Sequence, residues 1–340
     1  MDDTCIYEDV PYIYEIEPTN HCPYKCIMCP RGLGKMTRDR GFMSLDVFAR
    51  ILEMFPDHQK LVRLHHFGEA ILHPDIDVMI DMVNQAGRIP VISFNPATLT
   101  PALSQRIVDA RPGLVCFSFD AFTDQGLEKI RGTRRSYREC LARMDLFIQM
   151  SRESGRESGH KMLKVIQTVA LDENTLNPEQ TKGLDRLKET YAAQDIAFYH
   201  AENTGFGDIA LAERTKTGAA ALLKAGAAAC AAPFSEVSIL WNGDVVLCCY
   251  DYDGFNVIGS IKDNTLHDIW QGRKISQIRG LFSTGKTGSL PLCSRCFMAP
   301  HNFTGQGLDD SPCEKAWKEE SFLLDLLNQH GCLEEKHDQS

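Results

Sequence analysis

Positive charge is in short supply: 36 Lys and Arg stand against 46 Asp and Glu, a formal net charge of −10. That balance argues against a broad polyphosphate-binding surface, and nucleic acid is not an expected partner. Long hydrophobic runs are missing. No apolar stretch approaches the roughly 20 residues that span a bilayer, and the alanine-rich run at 218–232 is broken by Lys224. The N-terminus, Met1-Asp2-Asp3-Thr4-Cys5, has neither the basic start nor the apolar run of a signal peptide. The expectation is a cytoplasmic protein with no membrane association. Cysteine, at 13 of 340 residues, is too sparse for a small disulfide scaffold, where the share reaches roughly 8–10%. In a reducing compartment, clustered cysteines more often bind metal or do chemistry. No internal repeat stands out. What is present is an ordinary globular composition, 43% hydrophobic and 24% charged, long enough for about two domains at roughly 150 residues each.

The cysteines are unevenly spread. Cys22, Cys26 and Cys29 fall together, Cys116 and Cys140 are solitary, and Cys230, Cys248, Cys249, Cys293 and Cys296 form a second zone, with Cys313 and Cys332 trailing. Between about residues 12 and 200, strand-like and helix-like segments alternate. Strands are expected at Tyr12–Glu17, Leu61–His66, Val91–Phe94, Leu114–Phe119, Leu163–Val169 and Ile196–His200. Helices are expected at Ser44–Phe55 with Ser44 as N-cap, Asp75–Ala86, Pro101–Ala110, Tyr137–Met150 and Glu179–Tyr191. Six alternations imply a parallel sheet with outer helices. About 200 residues are too few for an eight-fold barrel of about 250, so the expected fold is α/β, a partial (β/α)6 barrel. The polar segment Ser151–Gly159 reads as a loop. Further on, Val237–Leu240, the turn Asn242-Gly243-Asp244 and Val245–Cys248 signal a hairpin. Ala316–Leu327 is an amphipathic helix. The domain reading is 1–215 for the barrel, 225–300 for a small β-hairpin and helix unit, and 301–340 for a tail with a helix.

Cys22-x3-Cys26-x2-Cys29 directly follows the first strand. Three thiolates can hold three irons of a [4Fe–4S] cube and leave the fourth iron open. Paired cysteines alone would suit zinc equally well; this spacing, after strand one of a β/α array, is more specific. On these residues the chain resembles the radical S-adenosylmethionine (SAM) enzymes. The resemblance implies that Cys22, Cys26 and Cys29 carry the cluster to which SAM binds. It also implies SAM contacts at Met28, at Gly68 and Glu69 in Phe67-Gly68-Glu69-Ala70, at Asn95, at Ser118 in Ser118-Phe119-Asp120, at Arg131 and at Gln167. Phe67, Met28 and the Asn95-Pro96 pair depart from the family's usual residues. Asp120 reads more readily as a cap for the next helix than as a substrate contact.

Cys230-x12-Gly243-x4-Cys248, followed by Cys293-x2-Cys296, resembles the SPASM/twitch extension of that family. The resemblance implies that Cys230, Cys248, Cys293 and Cys296 hold one auxiliary [4Fe–4S] cluster; a four-cysteine zinc knuckle is the alternative. The next cysteine, Cys313, is too distant to continue a full seven-cysteine pattern, so the shorter twitch form fits better. If strand alternation points Cys248 toward the cluster, Cys249 points elsewhere, where its thiol could donate a hydrogen atom to a substrate radical. The implied chemistry is reductive cleavage of SAM to a 5′-deoxyadenosyl radical, hydrogen abstraction, and oxidation or epimerisation of the substrate, with decarboxylation a third outcome. An electron donor such as flavodoxin or ferredoxin is implied as well. Strand one begins near residue 12, leaving no room before it for a peptide-recognition domain. A small polar substrate is therefore expected: a sugar, aminocyclitol or nucleoside derivative. His65, His66, His200, Glu202, Asp251 and Asp253 are further pocket candidates. A peptide-modifying enzyme and a non-catalytic metal-binding or redox-sensing protein remain the alternatives.

Overall fold

The alternating segments fold as a β/α array in the computed structural model, which describes residues 9–170, 178–192, 194, 196–202, 230, 232–296 and 314–333. The order is β1 (Tyr12–Ile16), α1 (Leu45–Glu53), β2 (Leu61–Arg63), α2 (Ile76–Gln85), β3 (Ile89–Phe94), α3 (Pro101–Asp109), β4 (Leu114–Ser118), α4 (Asp124–Arg131), α5 (Tyr137–Ser158), β5 (Leu163–Ala170), α6 (Pro178–Tyr191) and β6 (Ile196–Glu202). Strands β2 to β6 pair in parallel in chain order, as helical crossovers require. β1 meets this sheet through one bridge, Ile16 to Leu64. Among the described residues no ladder joins β6 back to β1, so the barrel is partial.

Side-chain caps set the helix starts. Ser44 accepts from the Val47 amide, Thr100 from Leu103 ahead of Pro101, and Thr123 from Gly126. Ser136 and Glu139 form a capping box at α5. That helix corrects the reading of Ser151–Gly159 as a loop. It continues to Ser158 and stops at Gly159, whose φ of 75° gives a left-handed C-cap. The serines that suggested a loop satisfy their hydroxyls on preceding carbonyls, Ser151 on Ile148 and Ser158 on Ser154. Helix α4 was not apparent in the sequence; it is short and buries little beyond Leu127 and Ile130.

Strand alternation gives the sheet two different faces. Val62, Ile92, Val115 and Ile166 pack outward against the helical layer, with Phe48, Met79, Ile107 and Phe147. The opposite, concave face begins with Leu61, Val91, Leu114, Leu163 and Val165. The tail helix α10 (Glu314–Gln329) seats Leu323, Leu324, Leu326 and Leu327 on this floor. The Glu320 carboxylate accepts from the Lys60 and Leu61 amides at 2.6 and 3.3 Å, which docks α10 at the start of β2.

The C-terminal unit runs α7 (Ala232–Ser235), β7 (Glu236–Ile239), β8 (Asp244–Val246), β9 (Val257–Ser260), α8 (Leu266–Trp270) and α9 (Arg273–Ser283). The expected hairpin is present: β7 and β8 pair antiparallel across Gly243, which sits at φ 86°. β7 also pairs in parallel with β1, giving a second sheet ordered β1-β7-β8-β9. The strand read as the first of the barrel is therefore the seam between the two units. Residues 203–229, which contain the expected boundary and most of the alanine-rich run, lie outside the described residues, as do Cys5 and Cys313. No helix among the described residues is long and apolar enough to cross a membrane.

Candidate active site

Beyond β1 the chain forms a long loop that carries Cys22, Cys26 and Cys29. Two backbone bonds tie it to the end of α4, Lys25 N–H to the Arg131 carbonyl at 3.2 Å and Ile27 N–H to that of Ile130 at 3.0 Å. A tight turn, Cys29 N–H to the Cys26 carbonyl at 3.1 Å, brings the last two cysteines around. Gly32 lies against this turn, and a Cβ there would stand 2.3 Å from the Cys26 oxygen. All three thiols are free. Burial pushes each of them up, Cys29 to about 11, and Cys22 and Cys29 each feel the charge of neighbouring cysteines. Three soft, unbridged donors in one short loop suit an iron–sulfur cube with an open iron. Among the described residues no three His, Cys, Asp or Glu side chains converge as a single metal ion demands; a cube instead takes its thiolates at separate irons.

The strand ends supply the other expected contacts. Gly68 lies so close under the cysteine loop that a Cβ would meet the Thr19 carbonyl at 1.8 Å, and Glu69 N–H donates to the His21 carbonyl at 2.8 Å. Glu69 is buried and accepts from the Asn95 amide at 3.1 Å. Burial pushes its carboxyl up to about 8, against that amide and the Arg131 charge. Asn95 Oδ1 accepts from Ala97 N–H, while its buried Nδ2 has no partner. Met28 is buried in the main core. Ser118 shares a hydrogen bond with Ser93 at 3.2 Å, and Gln167 Oε1 accepts from the Cys116 thiol at 3.0 Å. Arg131 already holds a carboxylate: it pairs with buried Asp120 and donates to Cys26 Sγ at 3.6 Å. Asp120 does not cap α4, since Thr123 does; it accepts instead from Val169 N–H at 2.6 Å.

The second cysteine set is assembled from three separate segments. Cys230 precedes α7, Cys248 follows β8, and Cys293 and Cys296 lie on one short turn closed by Cys296 N–H to the Cys293 carbonyl at 3.1 Å. All four are free thiols. Burial raises Cys230, Cys248 and Cys293, the last to about 12, and their mutual charges add to it. Asn256 Nδ2 donates to Cys293 Sγ at 3.6 Å. This set also fits an iron–sulfur cluster. Cys249 lies beyond β8, in a turn, so strand alternation does not decide its direction. Its carbonyl accepts from His66 at 3.0 Å, which places its backbone beside the end of β2.

Several residues at the seam carry weight that the sequence did not signal. Glu17, fully buried after β1, accepts two bonds from Arg38, receives the Trp241 amide at 3.2 Å, and faces His66 at 3.4 Å. Burial would raise its carboxyl, but His66 and Arg38 hold it down at about 2. Arg38 also donates to the Tyr252 carbonyl at 2.8 Å. Asp253 accepts from Thr37 and Arg38, and Asp251 from Phe255 and Asn256, so both fasten loops. His65 meets Glu15 at 3.4 Å. Phe67, Tyr252 and Leu292 form a small apolar cluster against which both Cys29 and Cys248 pack. The side chains of His200 and Glu202 lie outside the described residues.

A partial β/α barrel with a thiol triad after its first strand and a second thiol set beyond is the layout of one enzyme class, and the comparisons agree. Residues 16–158 match the model of the radical SAM superfamily, and residues 230–297 match that of SPASM, an iron–sulfur cluster-binding domain. The chain belongs to the radical SAM superfamily and carries a SPASM-type C-terminal domain. Its cofactors are accordingly SAM, a [4Fe–4S] cluster and an auxiliary iron–sulfur cluster. It is 21% identical over 286 residues to an S-adenosyl-L-methionine-dependent 2-deoxy-scyllo-inosamine dehydrogenase of Niallia circulans, covering 83% of this chain and 91% of that protein. Two solved structures share the fold. BtrN in complex with AdoMet and 2-DOIA has a TM-score of 0.51 at 16% identity, over 88% of this chain and 96% of BtrN. Streptococcus suis SuiB bound to precursor peptide SuiA has a TM-score of 0.56 at 15% identity, over 85% of this chain and 70% of SuiB.

Proposed function

We propose that the chain is a radical SAM dehydrogenase acting on a small polar ring such as an aminocyclitol or sugar. The observation that carries this reading is the change of character along the concave face. Leu61, Val91, Leu114 and Leu163 line the floor, under α10. Toward the C-terminal ends of the strands the same face turns polar, with Ser93 beside Cys116, and then Ser118 beside Gln167 and Tyr199 in register. Ser93, Ser118 and Gln167 are only half-buried, so a closed apolar base leads to an open rim of hydroxyl and amide groups. Polar groups in fixed places on such a rim suit a polyhydroxylated ligand. The named activity of the Niallia circulans relative supports the same substrate class.

In this reading Cys22, Cys26 and Cys29 hold the SAM-binding cluster, and Cys230, Cys248, Cys293 and Cys296 hold the auxiliary one. When bound, these groups and SAM supply hydrogen-atom abstraction through a 5′-deoxyadenosyl radical and an acceptor for the substrate's remaining electron. The chain's own residues bind and orient. Gly68, Glu69 and Asn95 line the SAM site beside the cysteine loop, with Ser118 and Gln167 on the adjoining strands. Arg131, matched by Asp120, positions Cys26. Phe67 and Tyr252 keep water out between the two thiol sets. A flavodoxin or ferredoxin delivers the reducing electron.

Anaerobic reconstitution followed by turnover with candidate cyclitols tests the proposal. The expected result is about eight irons per chain, SAM-derived 5′-deoxyadenosine, and a product lighter by two hydrogens. An unchanged product mass would replace dehydrogenation by epimerisation. Turnover of a peptide and of no cyclitol would overturn the substrate class.

A further inference from the structure

The buried carboxylates at and near the seam are each met by a guanidinium or by backbone amides, the latter at Asp251. Glu17 is matched by Arg38, and Asp120 by Arg131. Arg63 is bonded to the Tyr12 phenol at 2.7 Å and lies over the rings of Tyr12 and Tyr14. Glu15 differs. Its neighbours among the described ion pairs are two imidazoles, His65 at 3.4 Å and His66 at 3.7 Å, and neither Lys nor Arg. Its side chain is 15% exposed and that of His65 24%, so both stay reachable where Glu17 and His66 are sealed. The bulge between Ile13 and Glu15 sets this orientation. It keeps Ile13 and Ile16 in the outer core and turns Glu15 and Glu17 to the histidine side. His66, which Glu15 approaches, also holds the Cys249 carbonyl, so the carboxylate lies where β1, the end of β2 and the second cysteine segment meet.

A half-buried carboxylate without a permanent cation is an incomplete pair, because desolvation makes it costly to leave unmatched. We propose that Glu15 receives a protonated amine of the substrate and thereby selects an amine-bearing polyhydroxylated ring over its all-hydroxyl counterpart. The inference rests on the small-ring reading above. His65, on the exposed side of the pair, orients the carboxylate, and its buried Nδ1 has no hydrogen-bond partner. A charge-assisted bond to carboxylate is roughly twice as strong as a neutral one, and a site built around it penalises a ligand that cannot complete it.

The test is calorimetric binding to the cluster-loaded protein with SAM present and no reductant, so that nothing turns over. The probes are scyllo-inosamine and scyllo-inositol. The amine should bind about ten-fold tighter or more. Glu15→Gln should bring that ratio to about one, while Glu15→Asp, which keeps the charge, should retain a preference. Iron content and SAM binding of each variant report that it has folded. A preference that survives Glu15→Gln, or equal binding of both rings to the unaltered protein, overturns the role of Glu15 and leaves the small-ring reading standing. Binding of neither ring overturns the small-ring reading and this inference with it.

Discussion

The two thiol sets are built in opposite ways. Cys22, Cys26 and Cys29 come from one loop, pinned by backbone bonds to a single helix end. Cys230, Cys248, Cys293 and Cys296 come from three segments that only the fold brings together, through the hairpin of β7 and β8 and the short turn at Cys293. A local set depends on its own turn and a distributed set on tertiary structure. The first is therefore robust to loss of the second, and the largest expected effects follow from that asymmetry. Cys26→Ala should remove about four irons per chain and abolish SAM cleavage. Cys293→Ala should remove a similar number, leave SAM cleavage in place and stop product formation. Iron analysis with 5′-deoxyadenosine and product assays on both variants checks this. Loss of SAM cleavage in a folded Cys293→Ala protein would show that the distributed set supports the local one.

The next effect lies at the seam, where the two regions share Glu17. Its carboxylate is bound by Arg38 from the cysteine loop and by the Trp241 amide from the C-terminal unit. Glu17→Ala leaves Arg38 without its partner in a buried setting, which costs about 3–5 kcal/mol. The pH dependence has a definite sign. The carboxyl lies at about 2 in the folded chain against a usual 4.5, so the folded state favours the ionised form. The stability it contributes is complete above about pH 4.5 and is lost as pH falls toward 2. Chemical denaturation at pH 7 and at pH 3 should show a large deficit in Glu17→Gln at the first and a smaller one at the second. Equal deficits at both would mean that packing, not charge, joins the regions.

The same contrast governs what could be read from the sequence. The cysteine loop was legible because its meaning lies in spacing over eight consecutive positions. The strands β2 to β6 and their helices were legible because short, mostly buried apolar runs are separated by capped segments of helical period. The seam was not. β1 looks like any first strand of a barrel, and nothing in Tyr12–Ile16 announces a partner at Glu236–Ile239. Glu17 and Arg38 are 21 positions apart in a loop without periodicity, so their pairing had no local signal. Strand alternation gives Cys249 no direction, because β8 ends at Val246 and alternation lapses where a strand stops. Ser151–Gly159 misled for a related reason: side-chain bonds to preceding carbonyls let a serine-rich segment remain helical.

The smallest effect asks whether the shared sheet makes the two regions unfold as one. Each has a helix that begins on a hydroxyl cap. Ser44 accepts from Val47 N–H at 3.3 Å at the start of α1. Thr265 accepts from Asp268 N–H at 3.1 Å, and its hydroxyl donates to the Asp268 carboxylate at 2.7 Å. Replacing either cap with alanine costs about 1 kcal/mol. Helix α8 has only five residues, too few to persist without a cap and tertiary support. It nonetheless carries Trp270, fully buried, with Arg279 stacked on the ring at 4.2 Å. If β1 and β7 couple the regions, Ser44→Ala and Thr265→Ala should each lower a single calorimetric transition, by roughly 1–2 °C. If the regions melt apart, each variant should move only its own transition. In that case the β1–β7 ladder is a hinge, and the position of the distributed thiol set relative to the local one is set by Glu17 and Arg38, not by the sheet.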